Sequence, residues 1–176
     1  GSGANVVHET VNYLNARGSK VGVLKVRLFR PWSVKHFLEV LPKTVKRVAV
    51  LDRCKDPGAQ GEPLFLDTCT SFSNRLSEIH PMVIGGRYGL GSKDFTPGQV
   101  MAVFENLRSE KPVEGFTVGI QDDVSMRSLP MLPEPDTVPS SIYQAIMWGM
   151  GSDGTVSVSK TIMKILGDYH QLNVQG

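Results

Sequence analysis

Cysteine is scarce in these 176 residues: Cys54 and Cys69 are the two, fifteen positions apart. No CxxC pair is present, which excludes the usual spacings that hold zinc or an iron–sulfur cluster within the chain. The two thiols read as a reduced pair. Histidine is equally thin. His8, His36, His80 and His170 are scattered, none with a metal-ligand neighbour at helical spacing, and they read as surface or capping residues. Charge of one sign is lacking too: 19 Lys and Arg stand against 17 Asp and Glu, a net +2. Such a balance argues against nucleic acid or an anionic membrane as partner. No apolar run approaches the ~18–20 residues that span a bilayer. The opening stretch GSGANVVHET has no basic n-region and no apolar h-region, so no signal peptide is read there. GxSxG and HExxH are absent, and no catalytic or metal-ligating residue is assigned.

What is present is an ordinary globular composition, 40% hydrophobic. The length suits one domain plus a remainder, or two small domains. NVVHETVNYLNARG places Val7, Val11 and Leu14 at i, i+4, i+7 and predicts a helix. KVGVLKVRL (20–28) is β-rich and predicts a strand centred on Val21–Leu28. SVKHFLEVL (33–41) predicts a helix with Ser33 as N-cap, stopped by Pro42. RVAVLD (47–52), PMVIGG (81–86) and GFTVGI (115–120) have the look of buried parallel strands. GEPLFLDTCTSFSNRL (61–76) and TPGQVMAVFENL (96–107) predict helices, the second opening on Thr96 as N-cap and Pro97 at the first helical position. Strand–helix alternation with short connections implies an α/β fold, a mostly parallel sheet with helices on both faces. SLPMLPEPDTVPSS (128–141) carries four prolines and reads as a linker. Beyond it, IYQAIMWGMGSDGT restarts a strand–turn–helix unit. The first unit lacks its opening strand and the last lacks a second strand, so the expectation is a segment of a longer polypeptide: a domain over 1–127, a linker, and the start of another domain over 142–176.

Three Gly-rich turns could bear function: GSGA (1–4), GGRYGLGSKDF (85–95) and GMGSDGT (149–155). Gly149, Gly151 and Gly154 spell G-x-G-x-x-G before a helical run. A turn in that place can face an anion with backbone N–H groups, or be a tight turn that binds nothing. Arg87 and Lys93 in the middle turn could hold a carboxylate or phosphate, or the glycines there could serve packing alone. A dinucleotide site needs a carboxylate about 20 residues after its fingerprint. After GSGA that region is basic or apolar, and Asp52 comes too far along. Asp122–Asp123 reads as a solvated turn. Arg27 and Arg30 read as surface arginines at a strand end.

Several stretches together resemble one family. KVGVLKVRLFRPWSVKHFLEVLPKTVKRVAVLDRCKDPGAQGEPLFLD, GGRYGLGSKDFTPGQVMAVFENL and FTVGIQDDVS are similar to the transketolase C-terminal-like domain of pyruvate:ferredoxin (flavodoxin) oxidoreductases. WGMGSDGTVSVSK resembles the opening of the next domain in those enzymes, commonly WGLGSDGTVGANK. Pyruvate:NADP+ oxidoreductases share this core. The resemblance implies an enzyme that decarboxylates pyruvate on thiamine diphosphate, passes electrons through iron–sulfur clusters and delivers the acetyl group to coenzyme A. It implies that thiamine and cluster sites lie on other domains, that the enzyme is a cytoplasmic homodimer (organellar in some eukaryotes), and that ferredoxin, flavodoxin or NADP+ is the acceptor. It further implies that Gly151, Ser152, Asp153, Gly154, Thr155 and Lys160 lie on the coenzyme A side, while 1–127 is mainly structural. Ser159 departs from the family's asparagine. Two other classes stand beside this: a free-standing α/β interaction module, and a nucleotide-binding reductase using GMGSDG as its fingerprint.

Overall fold

A computed structural model describes residues 2–73, 77–122 and 124–176. The chain divides into two compact units, Gly1–Thr137 and Val138–Gly176.

The first unit opens on α1 (Ser2–Ala16), whose Val11 and Leu14 are buried. α2 (Val34–Glu39) starts where Ser33 accepts a hydrogen bond from the His36 amide and ends before Pro42. β1 (Arg47–Asp52), β2 (Met82–Tyr88) and β3 (Phe116–Val118) form a parallel sheet in that order. α3 (Pro63–Ser73) joins β1 to β2, and α4 (Pro97–Arg108) joins β2 to β3. Thr96 caps α4 as its sequence asks: its side chain accepts from the Gln99 amide while the Gln99 side chain accepts from the Thr96 amide.

Period two assigns the two faces of the sheet. Ile84, Phe116 and Val118 pack with Ala102 and Val103 of α4, together with Ala49 and Leu51. Asp52 and Gly85 point the other way, against α3, where Asp52 accepts from the Leu64 and Phe65 amides. Helices therefore cover both faces, and the core sits between the sheet and α4. Leu129 and Leu132 of the Pro-rich stretch add to that core. Leu129 is buried, its amide bonds to the Thr117 carbonyl at 2.8 Å, and Glu134 accepts from the Gly98 amide at 2.8 Å, the start of α4.

Two expected strands do not form. Residues 20–28 enter no ladder, nor do residues 142–148. Val21, Val23 and Val26 suit a pleated surface, but a strand exists only when a neighbour takes its amides and carbonyls. The sheet of the described residues runs β1-β2-β3, and neither run joins an edge of it. The three other expected strands and their helices are found, with the last three residues of the 61–76 run outside the described residues.

The second unit contains α5 (Thr155–Lys164), followed by a π-helical turn at Ile165–Tyr169.

Candidate functional site

The glycines of GMGSDGT shape the strongest candidate. Gly151 and Gly154 have φ of 82° and 83°, with Ser152 between them at 55°, so the chain reverses through left-handed backbone. Asp153 holds this reversal in place. Its carboxylate accepts from the Met150 amide at 2.6 Å, the Thr155 amide at 3.0 Å and the Thr155 hydroxyl at 2.6 Å. One side chain thereby ties the arm entering the turn to the first residue of α5. Gly149 leaves room for this: a Cβ there would stand 2.5 Å from Thr155 Oγ1.

The Thr155 hydroxyl and then the two amides hold the exposed Asp153 carboxyl at a pKa of about 2. A folded value below the ordinary carboxylate value near 4 favours the turn above that pH, and the advantage is lost as pH falls through about 2. Titration of the Asp153 carboxyl carbon by NMR is expected to show a midpoint near 2, returning toward 4 in Thr155→Val. An ordinary midpoint in the unsubstituted chain would show the turn to be open in solution.

The amides of Val156 and Ser157 lie in the first turn of α5, where no intrahelical carbonyl can reach them. Together with the positive end of the helix dipole, such amides suit an anion. They border an open groove of about 490 Å³ lined by Gly151, Ser152, Asp153, Gly154 and Thr155, with Met147 and Ser159 also in its lining. Lys160 is exposed and does not line that groove. It follows Val156 by four residues, on the same helical face, and helical side chains lean toward the N-terminus. Ser159 turns inward instead, donating to the Thr155 carbonyl at 2.8 Å.

The other candidates resolve differently. Gly1 and Asp123 lie outside the described residues. Arg87 is a β2 residue rather than a loop residue, and its carboxylate partner is internal: Glu62, at 2.9 Å. The loop after β2 keeps Gly89 and Gly91 at φ of 63° and 64°, left-handed backbone that favours glycine. Asp52 is buried with one amide of α3 on each oxygen, which ties β1 to the start of α3. Burial raises its carboxyl, opposed by those two amides. Asp122 accepts from the Val124 and Ser125 amides and from the Ser125 hydroxyl, in an exposed turn. Arg30 pairs with Asp67. Cys54 and Cys69 are free thiols, both raised first by burial. All four histidines are exposed. Among the described residues, no group of three or more His, Cys, Asp or Glu converges as a metal site would.

Sequence reasoning missed Glu62. It lies 25 residues before Arg87, so no local pattern joins them. The pair lines a second open groove, of about 530 Å³, with Lys55, Glu114 and Arg127.

Comparison with known proteins extends these observations. The model of pyruvate:ferredoxin oxidoreductase core domain II matches residues 1–100. The pyruvate:ferredoxin oxidoreductase of Moorella thermoacetica is 52% identical over 176 residues, covering 100% of this chain and 15% of the relative. The mitochondrial pyruvate dehydrogenase [NADP(+)] of Euglena gracilis is 52% identical, covering 99% of this chain and 10% of its own. The pyruvate-flavodoxin oxidoreductase of Nostoc sp. is 50% identical over 187 residues, covering 100% and 16%. The chain thus spans between 10% and 16% of the length of these curated relatives.

Proposed function

The chain belongs to the pyruvate:ferredoxin oxidoreductase family, and from that premise we propose that it is a segment of an enzyme that oxidatively decarboxylates pyruvate to acetyl-CoA. The observation that carries this is identity of about half the residues through the whole chain, in relatives whose names give pyruvate as substrate. Residues 1–127 serve as a transketolase C-terminal-like scaffold, 128–141 as a connection, and 142–176 as the start of the coenzyme A-associated domain. Thiamine diphosphate and the iron–sulfur clusters belong to other parts of the polypeptide, and the segment alone is inactive. The enzyme acts as a homodimer in the cytoplasm or an organelle and passes electrons to ferredoxin, flavodoxin or NADP+, the three acceptors in the names of its relatives. Among the described residues no helix is long and apolar enough to cross a membrane.

The turn at 151–155 suits a phosphate of coenzyme A by the chemistry of its donors. Bound there, coenzyme A supplies the thiol that takes the acetyl group. The Val156 and Ser157 amides would hold an anionic oxygen, and Lys160 would add a positive charge from the helix face. Asp153 repels phosphate, but its oxygens are already committed to Met150 and Thr155. Its part is to keep the turn rigid.

The test is kinetic and uses the full-length enzyme. Lys160→Ala should raise the KM for coenzyme A by roughly 3- to 10-fold and leave the KM for pyruvate unchanged. The effect should shrink at high salt, as an exposed charge interaction does. Unchanged coenzyme A kinetics would remove Lys160 from the site.

A further inference from the structure

The groove of about 530 Å³ beside β2 is lined by charges of both signs, most of them unpaired. Glu62 is its buried member. The Glu62 side chain is 7% exposed, and its Oε1 accepts from Arg87 Nη1 at 2.9 Å. Its Oε2 accepts from no donor among the described residues. No fully buried side-chain nitrogen or oxygen of those residues lacks a partner, so Oε2 keeps an opening onto the groove that Glu62 lines. A carboxylate oxygen with so little water around it gains from one more charged donor.

The cations meet at Gly115. Arg87 Nη2 donates to the Gly115 carbonyl at 3.3 Å. Arg127 Nη1 lies 2.8 Å from where a Gly115 Cβ would stand. The Arg127 guanidinium forms no ion pair among the described residues, and the same holds for Lys55 on the groove wall. Two guanidiniums at one glycine, with a carboxylate on only one of them, leave room for a second carboxylate.

Charge then selects the ligand. A plain anion would face the open Oε2 of Glu62, and a plain cation would face Arg127. Asp56 and Glu114 on the rim balance Lys55 and Arg127, so the lining as a whole is neutral. A zwitterion answers each of these conditions. Phe65 adds an apolar wall. Its half-buried ring lies against Gly61 and Gly85, where a Cβ would overlap it, at 2.9 Å in the case of Gly85.

We propose that this groove binds a free α-amino acid with an apolar side chain. The ammonium group donates to Glu62 Oε2, the carboxylate pairs with Arg127, and the side chain rests on Phe65. The site lies wholly within Gly1–Thr137 and is independent of the enzymatic reading.

Calorimetry and hydrogen exchange on the full-length polypeptide test this, with L-leucine as the probe. Leucine should saturate and slow exchange at the amides of Gln60, Gly61 and Gly115. Isocaproate, which lacks the ammonium, and isoamylamine, which lacks the carboxylate, should each bind about 10-fold or more weakly. Arg127→Ala should weaken leucine binding about 10-fold or more without changing Tm, because that side chain holds no partner in the fold. Glu62→Gln leaves Arg87 an oxygen acceptor and removes the charge, and it should weaken leucine to a similar degree. Absence of local protection at leucine concentrations up to roughly 10 mM would overturn the proposal. So would isocaproate or isoamylamine binding as tightly as leucine, or unchanged leucine binding in Arg127→Ala. Binding is read without turnover, so leucine bound at this groove in a protein that fails to oxidise pyruvate would sink the enzymatic proposal and leave this one standing.

Discussion

Arg87→Met is expected to destabilise the Gly1–Thr137 unit by about 3 kcal/mol or more. The side chains of Arg87 and Glu62 are 16% and 7% exposed, and their ion pair closes at 2.9 Å. Arg87 also donates to the Gly115 carbonyl at 3.3 Å, tying β2 to the approach of β3. Removing the guanidinium leaves a carboxylate with little access to water, and an uncompensated buried charge is far more costly than the pair is beneficial. Arg87→Met with Glu62→Leu should recover most of the loss, because neither charge then needs a partner. Urea unfolding followed by Trp32 fluorescence in a Trp148→Phe background reads this unit alone. A single variant as stable as the parent would show that water reaches Glu62.

Gly86→Ala should be nearly as damaging, for a different reason. The Gly86 Cα faces the fully buried ring of Phe116, and an ideal Cβ there would overlap the ring atoms. Phe116 is fully buried in one cluster with Ile84, Ala102, Val103, Val118 and Leu129. Overpacking of such a core costs about 1–3 kcal/mol, and the upper end is expected here. Gly22→Ala is the matched control, since nothing lies within 4 Å of its Cβ position. Equal stability of the two variants would mean that the β2–β3 contact is looser than described.

How far the sequence carries these features depends on the range of the interaction. Thr96, Pro97 and Gln99 start α4 within four residues, and that start was legible. RVAVLD was legible as a buried parallel strand because both its faces are covered. KVGVLKVRL shows the limit: its valines state what surface it would fit, while ladder formation depends on a partner that no local pattern names. The Glu62–Arg87 pair was hidden for the same reason. Arg87 was visible as a cation among glycines, but its anion comes from the loop after β1, brought near only when β1 and β2 pair.

Pyruvate-dependent reduction of a viologen dye by the full-length polypeptide tests the central claim most directly. In this reaction pyruvate loses carbon dioxide, its acetyl group is transferred to the coenzyme A thiol, and the electrons pass to the dye. Dye reduction that requires both pyruvate and coenzyme A, with acetyl-CoA formed in step, is the predicted result. Full-length protein with its cofactors loaded that reduces no dye with pyruvate and coenzyme A, or that reduces dye from a reduced nicotinamide nucleotide but never from pyruvate, would contradict it.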